Sequence, residues 1–105
     1  MRLMLAVLMV VAGTASAGEF AKNHPRRAEV NKRLANQDER IRDGVKDGQL
    51  TKGQAQQLHA EDHAIRQQER AEAAEHGGHI TKAEQRQLNR EENATSKQIY
   101  EEKHP

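Results

Sequence analysis

The sequence predicts an all-α protein, and three observations carry that expectation. Large apolar residues recur at helical spacing: Val30, Leu34, Ile41 and Val45 lie four, seven and four positions apart, and Leu58 and Ile65 seven apart. Two stretches run Gly, any residue, a branched apolar residue, then Thr, which is how a helix start is written. The alternation of a half-buried strand is absent beyond residue 17, and aromatic and β-branched residues are too sparse there to build a sheet.

Residues 1–17 read as a secretory signal peptide. Arg2 supplies the positive start, Leu3 to Ala12 form an unbroken apolar run, and Gly13 and Thr14 end it. Ala15-Ser16-Ala17 then places small residues at the positions a signal peptidase reads. As a helix, that apolar run spans roughly 15 Å, about half of a bilayer's hydrocarbon core. Cleavage after Ala17 leaves a periplasmic or secreted product without a stable membrane anchor. Absence of Cys after the apolar run excludes a lipid anchor.

Arg2 is the one charged residue lost with residues 1–17, so 17 Lys+Arg become 16, against 16 Asp+Glu. A near-neutral balance gives no global field to gather nucleic acid or an anionic membrane. The chain has no Cys, hence no disulfide framework and no thiol nucleophile.

Residues 18–25 read as a flexible lead-in ending at Pro25, which suits the first turn of a helix. A helical domain then occupies 26–105, with three helices expected at about 26–44, 52–76 and 82–102. Its strongest feature is an internal repeat. Residues 48–68 and 78–98 align at an offset of thirty, with eight identities in twenty-one positions. Thr51 with Gln54, and Thr81 with Glu84, form capping boxes, in which the hydroxyl accepts a first-turn amide and the fourth residue's side chain accepts the cap's own amide. Gly48 and Gly78 are placed to end the preceding helices in the left-handed conformation. Leu58 and Ile65 mark the inner face of the middle helix, and Leu88 and Ile99 that of the last, the remaining Gln, Glu, Lys and Arg reading as solvated.

Twelve large apolar residues beyond the signal peptide make a thin core: Phe20, Val30, Leu34, Ile41, Val45, Leu50, Leu58, Ile65, Ile80, Leu88, Ile99 and Tyr100. Such a core favours a protein partner or self-association and leaves no room for a large buried active site.

Three kinds of chemistry are open to this composition. The Gly turns are shaped like half an EF-hand. With Gly48 at loop position 6, Asp43 and Asp47 fall at 1 and 5, but Val45 and Gln54 occupy 3 and 12. With Gly78 at position 6, Glu75 and Glu84 fall at 3 and 12, but Ala73 and Gly77 occupy 1 and 5. Each loop keeps its scaffold and lacks oxygens that calcium needs. His59 and His63, four apart on one helix, have a spacing that chelates zinc or copper, and His76 and His79 flank Gly77-Gly78 where they could add ligands. An enzyme is not expected: no catalytic residue stands out, no phosphate-cradling Gly loop is present, and carboxylates on solvated faces have nothing to raise their pKa.

The residues Gly48, Leu50, Thr51, Gly78 and Thr81, with the ending Asn93, Ser96, Lys97, Ile99, Tyr100, Lys103 and His104, form a pattern spread over the helical domain. In it the chain resembles a family of small exported bacterial helical proteins with two Gly-x-(Leu/Ile)-Thr turns. That resemblance implies export and helicity and carries no activity, cofactor or partner with it. The sequence therefore leads to a non-enzymatic exported protein that acts by binding, with protein as the first class of partner. Divalent metal, as zinc, copper or calcium, is the second.

Overall fold

The computed structural model describes residues 18–105, of which 84% are helical and none are in strands. Four helices follow one another: α1 over residues 18–23, α2 over Pro25–Lys46, α3 over Lys52–Glu75 and α4 over Lys82–Lys103. The signal peptide read over 1–17 lies outside the described residues. Among the described residues no helix is long and apolar enough to cross a membrane.

The three expected helices thus have a fourth beside them, because the lead-in over 18–25 is helical as far as residue 23. Its side chains find partners that periodicity does not register. The Phe20 ring has the Arg27 guanidinium 5.0 Å from its centroid and the His24 ring at 4.8 Å. His24 closes α1 by donating its amide to the Phe20 carbonyl at 2.7 Å. Pro25 has no amide to donate, so it ends that ladder and begins α2.

The helices α2, α3 and α4 each pack against the other two. The buried stripe of α2 is Val30, Leu34, Gln37, Ile41 and Gly44, with the alternating four- and three-residue steps of a helix face. In α3 it is Ala55, Leu58, Asp62, Ile65, Glu69 and Ala73, and in α4 Leu88, Glu92, Thr95 and Ile99. The repeat is therefore structural as well as textual: Leu58/Leu88, Asp62/Glu92, Ile65/Thr95 and Glu69/Ile99 are buried at matching positions.

The core has two apolar halves. Val30, Leu34, Ile65, Ala73, Ile80 and Leu88 fill the half beside the α3–α4 turn. Ile41, Leu50, Ala55, Leu58 and Ile99, with Val45 against them, fill the half beside the α2–α3 turn. Between the halves lies a polar layer of Gln37, Asp62, Glu92 and Thr95, each at most 3% exposed. This corrects the expectation that the carboxylates sit on solvated faces. The acids occupy the inward register of their helices, and helical geometry overrides residue type there.

The layer is only partly satisfied. Gln37 Nε2 donates to the Glu92 carbonyl at 2.8 Å, while both carboxylate oxygens of Asp62 and of Glu92 are buried without a hydrogen-bond donor. Burial, reinforced by the neighbouring Asp38 carboxylate, pushes Asp62 from 3.8 up to about 7, with Arg66 opposing. Burial likewise pushes Glu92 from 4.5 up to about 8; Arg33, 3.6 Å away, opposes, and Asp62 adds to the rise. A protonated acid supplies its own donor, so low pH suits this layer better than high pH. Glu69 is compensated differently: Arg27 Nε and Nη2 grip its two oxygens, and Arg27 Nη1 donates to the Gly78 carbonyl at 3.2 Å.

Both turns use the same devices. After α2, Gly48 takes φ +76°, its amide bonds the Val45 carbonyl, and the Gln49 amide bonds the Gly44 carbonyl, completing a Schellman end. After α3, the left-handed residue is Gly77 at φ +65°, and Gly78 follows at φ +95° with its amide on the Ala73 carbonyl. Both capping boxes are formed: Thr51 Oγ1 accepts from Gln54, Thr81 Oγ1 accepts from Glu84, and each fourth-residue side chain returns a bond to the Thr amide.

Candidate metal centre

The six histidines are distributed over the bundle, and three collect at one end. His59 and His63, four apart on α3, have different neighbours. His59 Nδ1 lies 3.0 Å from Asp38 Oδ1 on α2, an oxygen pair that also has Arg66 within 3.7 Å. His63 Nε2 instead sits 3.3 Å from Gln67 Nε2 on the solvent side. Helix α2 thus supplies the partner of His59, and α3 itself that of His63. His104 stacks on Tyr100 with centroids 4.2 Å apart, its Nδ1 2.8 Å from the Tyr100 carbonyl oxygen.

The remaining three, His24, His76 and His79, meet around the α3–α4 turn. Here Glu75 ends α3, His76 caps its C-terminus, and Glu84 is the fourth residue of the Thr81 capping box. Their donor atoms all lie within 4.8 Å of one another, the one such group of three His or carboxylate donors among the described residues. Glu84 has a divided task. Its Oε1 accepts from the Thr81 amide at 2.8 Å, and its Oε2 lies 3.2 Å from His76 Nε2. The Thr81 amide, helped by His76, holds the Glu84 carboxyl below the usual range, so it is anionic at neutral pH. Glu72, one turn earlier on α3, is raised by burial and then by the negative charge of Glu84. This end of the bundle is thus a local concentration of negative charge beside an imidazole.

The calcium-like set divides accordingly. Glu75 and Glu84 lie together with His76. Asp43 and Asp47 stay exposed at the α2–α3 turn and belong to no three-donor group. His79, which the sequence places beside His76, is paired with His24: the two Nδ1 atoms are 3.2 Å apart and the ring centroids 4.5 Å. His24 was not singled out in the sequence; the one signal for it is the following Pro25, which restricts its backbone and fixes the ring's departure point.

One imidazole nitrogen and two carboxylates make a three-ligand set that leaves a position for water, a composition suited to zinc and its neighbours. Calcium takes six to eight oxygen ligands, whereas the side-chain set here is two carboxylates and an imidazole. No family model matches this chain, and no curated protein or solved structure is significantly similar to it.

Proposed function

We propose that this is an exported, non-enzymatic binding protein that takes up a divalent transition-metal ion at the α3–α4 turn. The observation that carries the reading is the mutual approach of Glu75, His76 and Glu84 within 4.8 Å. Supporting it, Glu84 is oriented by its bond to the Thr81 amide, so one ligand oxygen is fixed before any ion arrives. The ligands are exposed or half-buried, which suits reversible uptake rather than a structural ion. Export follows from the layout of residues 1–17, and an envelope compartment would give the protein a role in holding metal outside the cytoplasm. Binding to protein has less behind it: Tyr100 is the exposed large hydrophobic side chain among the described residues.

The test is calorimetric titration with zinc near neutral pH. Protons compete with metal for the ligand atoms, so binding should weaken in acid, and His76→Gln should remove one equivalent. Glu75→Gln should weaken that equivalent without unfolding the protein, since Glu75 is exposed. Zinc stoichiometry and affinity unchanged in His76→Gln would overturn the assignment.

A further inference from the structure

We infer that His24 and His79 form a second metal locus, independent of Glu75, His76 and Glu84, in which a zinc-like cation bridges the two Nδ1 atoms and ties the α1–α2 junction to the α3–α4 turn. The central observation is a distance. Two imidazole nitrogens on one tetrahedral zinc, each at its usual bond length, stand about 3.3 Å apart. His24 Nδ1 and His79 Nδ1 stand 3.2 Å apart already. Bringing two rings from positions fifty-five residues apart into that relation is the costly part of building a chelate, and the fold has done it.

The His24 ring is held from behind. Phe20 lies 4.8 Å from the His24 ring, and Pro25 follows His24 directly, so neither the ring nor its backbone turns freely. Gly78 takes a positive φ that admits few other residues, and it packs beside His24: a Cβ there would be in ordinary contact with His24 Cε1 at 3.5 Å. The two nitrogens border a small surface cleft lined by His24, Pro25, Arg26, Arg27, His79 and Ile80, through which water or an anionic co-ligand reaches the remaining positions. Of its two arginines, Arg27 is neutralised by Glu69, and Arg26 directs a guanidinium nitrogen to the Ile80 carbonyl at 3.4 Å. A hard cation finds no carboxylate here, whereas imidazole nitrogens suit zinc and copper.

In the apo protein one ring donates Nδ1–H to the bare Nδ1 of the other. Binding a cation replaces that proton: both Nδ1 lone pairs go to the metal, both rings carry hydrogen on Nε2, and no net proton is released if the donor ring shifts tautomer.

The experiment is a zinc titration of the purified protein followed by long-range nitrogen-15 NMR of the imidazoles and by thermal melting. Zinc should shift the His24 and His79 ring signals together, locking both into the Nε2–H tautomer, with saturation by two equivalents in the wild type and by one in His76→Gln. The same addition should raise the Tm by a few degrees, because the ion joins two segments distant in sequence. Either His24→Gln or His79→Gln should abolish the coupled ring shifts and reduce the Tm rise, and His76→Gln should leave the coupled ring shifts intact. Melting of each variant without zinc separates loss of the site from loss of the fold. Ring signals of His24 and His79 that move separately, or stay still at saturating zinc, would overturn the locus. Loss of the coupled His24 and His79 ring shifts in His76→Gln would instead make the two sites one and overturn their independence.

Discussion

The two Gly-containing turns are built alike and end differently. The turn between α2 and α3 spans residues 47–51, and the turn between α3 and α4 spans 76–81, one residue more. The additional residue is a glycine, so the second turn passes through two left-handed positions, Gly77 and Gly78, where the first passes through Gly48 alone. In the short turn Leu50 folds straight back onto α2, so tightly that a Cβ on Gly44 would meet Leu50 Cδ1 at 2.6 Å. In the longer turn the equivalent helix position is Ala73, whose methyl group shares a core cluster with Ile80. The longer turn also carries His79 out to His24 and leaves His76 beside Glu84. Shared parts of the repeat hold the bundle together, and the one-residue difference is where ligand chemistry gathers.

The largest expected effect tests what the repeat units share. Asp62 and Glu92 occupy equivalent core positions, and both carboxyls are raised by burial. The folded state therefore binds more protons than the unfolded chain between the ordinary carboxylate range near pH 4 and about pH 8. Stability from these groups is fully present below that window and is lost as pH rises through 7 to 8. The predicted loss, measured by urea unfolding at pH 5 and pH 8, is on the order of a few kcal/mol. Around Asp62 the charges are Asp38, Glu61 and Arg66; around Glu92 they are Arg33, Glu29, Glu91 and Asp62 itself. The variant Asp62→Asn, which offers Asp38 an amide donor, should be more stable than wild type at pH 8 and have a flatter profile. Greater wild-type stability at pH 8 than at pH 5 would show that the polar layer is hydrated and its acids ionised.

Gly44→Ala should show how the turns differ. Ala normally favours a helix over Gly by up to about 1 kcal/mol. Here its methyl group would collide with Leu50, which is 4% exposed and packed in the core, at a cost of about 1–3 kcal/mol for overpacking. A net loss of stability is expected. Inserting one glycine after Gly48 in the same variant copies the length of the second turn and should recover much of the loss. A Gly44→Ala protein as stable as wild type by thermal melting would mean that Leu50 has room to move.

Local features of this fold were legible in the sequence, and cross-helix features were not. The capping residues Thr51, Gln54, Thr81 and Glu84 act within one turn of chain, and Leu58, Ile65, Leu88 and Ile99 declare an inner face by spacing. Gln37, Asp62, Glu69 and Glu92 were misread as solvated because residue type outweighed register, although Asp62 and Glu92 fall on the very stripe that Leu58 and Leu88 define. The acid retained at both repeat positions was the available signal. The metal-ligand candidates divided for a similar reason. His76, Glu75 and Glu84 are neighbours across one turn, while the fates of His59 and His79 depend on Asp38 and His24, each more than twenty residues away.

The smallest effect concerns the caps and bears on the comparison between the turns most finely. Thr51→Ala and Thr81→Ala each remove a hydroxyl that accepts a first-turn amide at 3.0 Å, so each should lower stability by about 1 kcal/mol. As structural devices the two boxes are equivalent, and near-equal losses in metal-free buffer are expected from chemical denaturation. Zinc should separate them. Glu84 belongs both to the second box and to the candidate metal centre, whereas Gln54, its counterpart in the first box, has no such neighbours. Losing the Thr81 hydroxyl loosens the turn that positions Glu84 Oε2 against His76, so Thr81→Ala should weaken zinc binding by several fold. Thr51→Ala, at the far end of the bundle, should leave zinc affinity at the wild-type value. Equal zinc affinities in the two variants would confine both boxes to helix capping and deprive the second turn of its part in preparing the site.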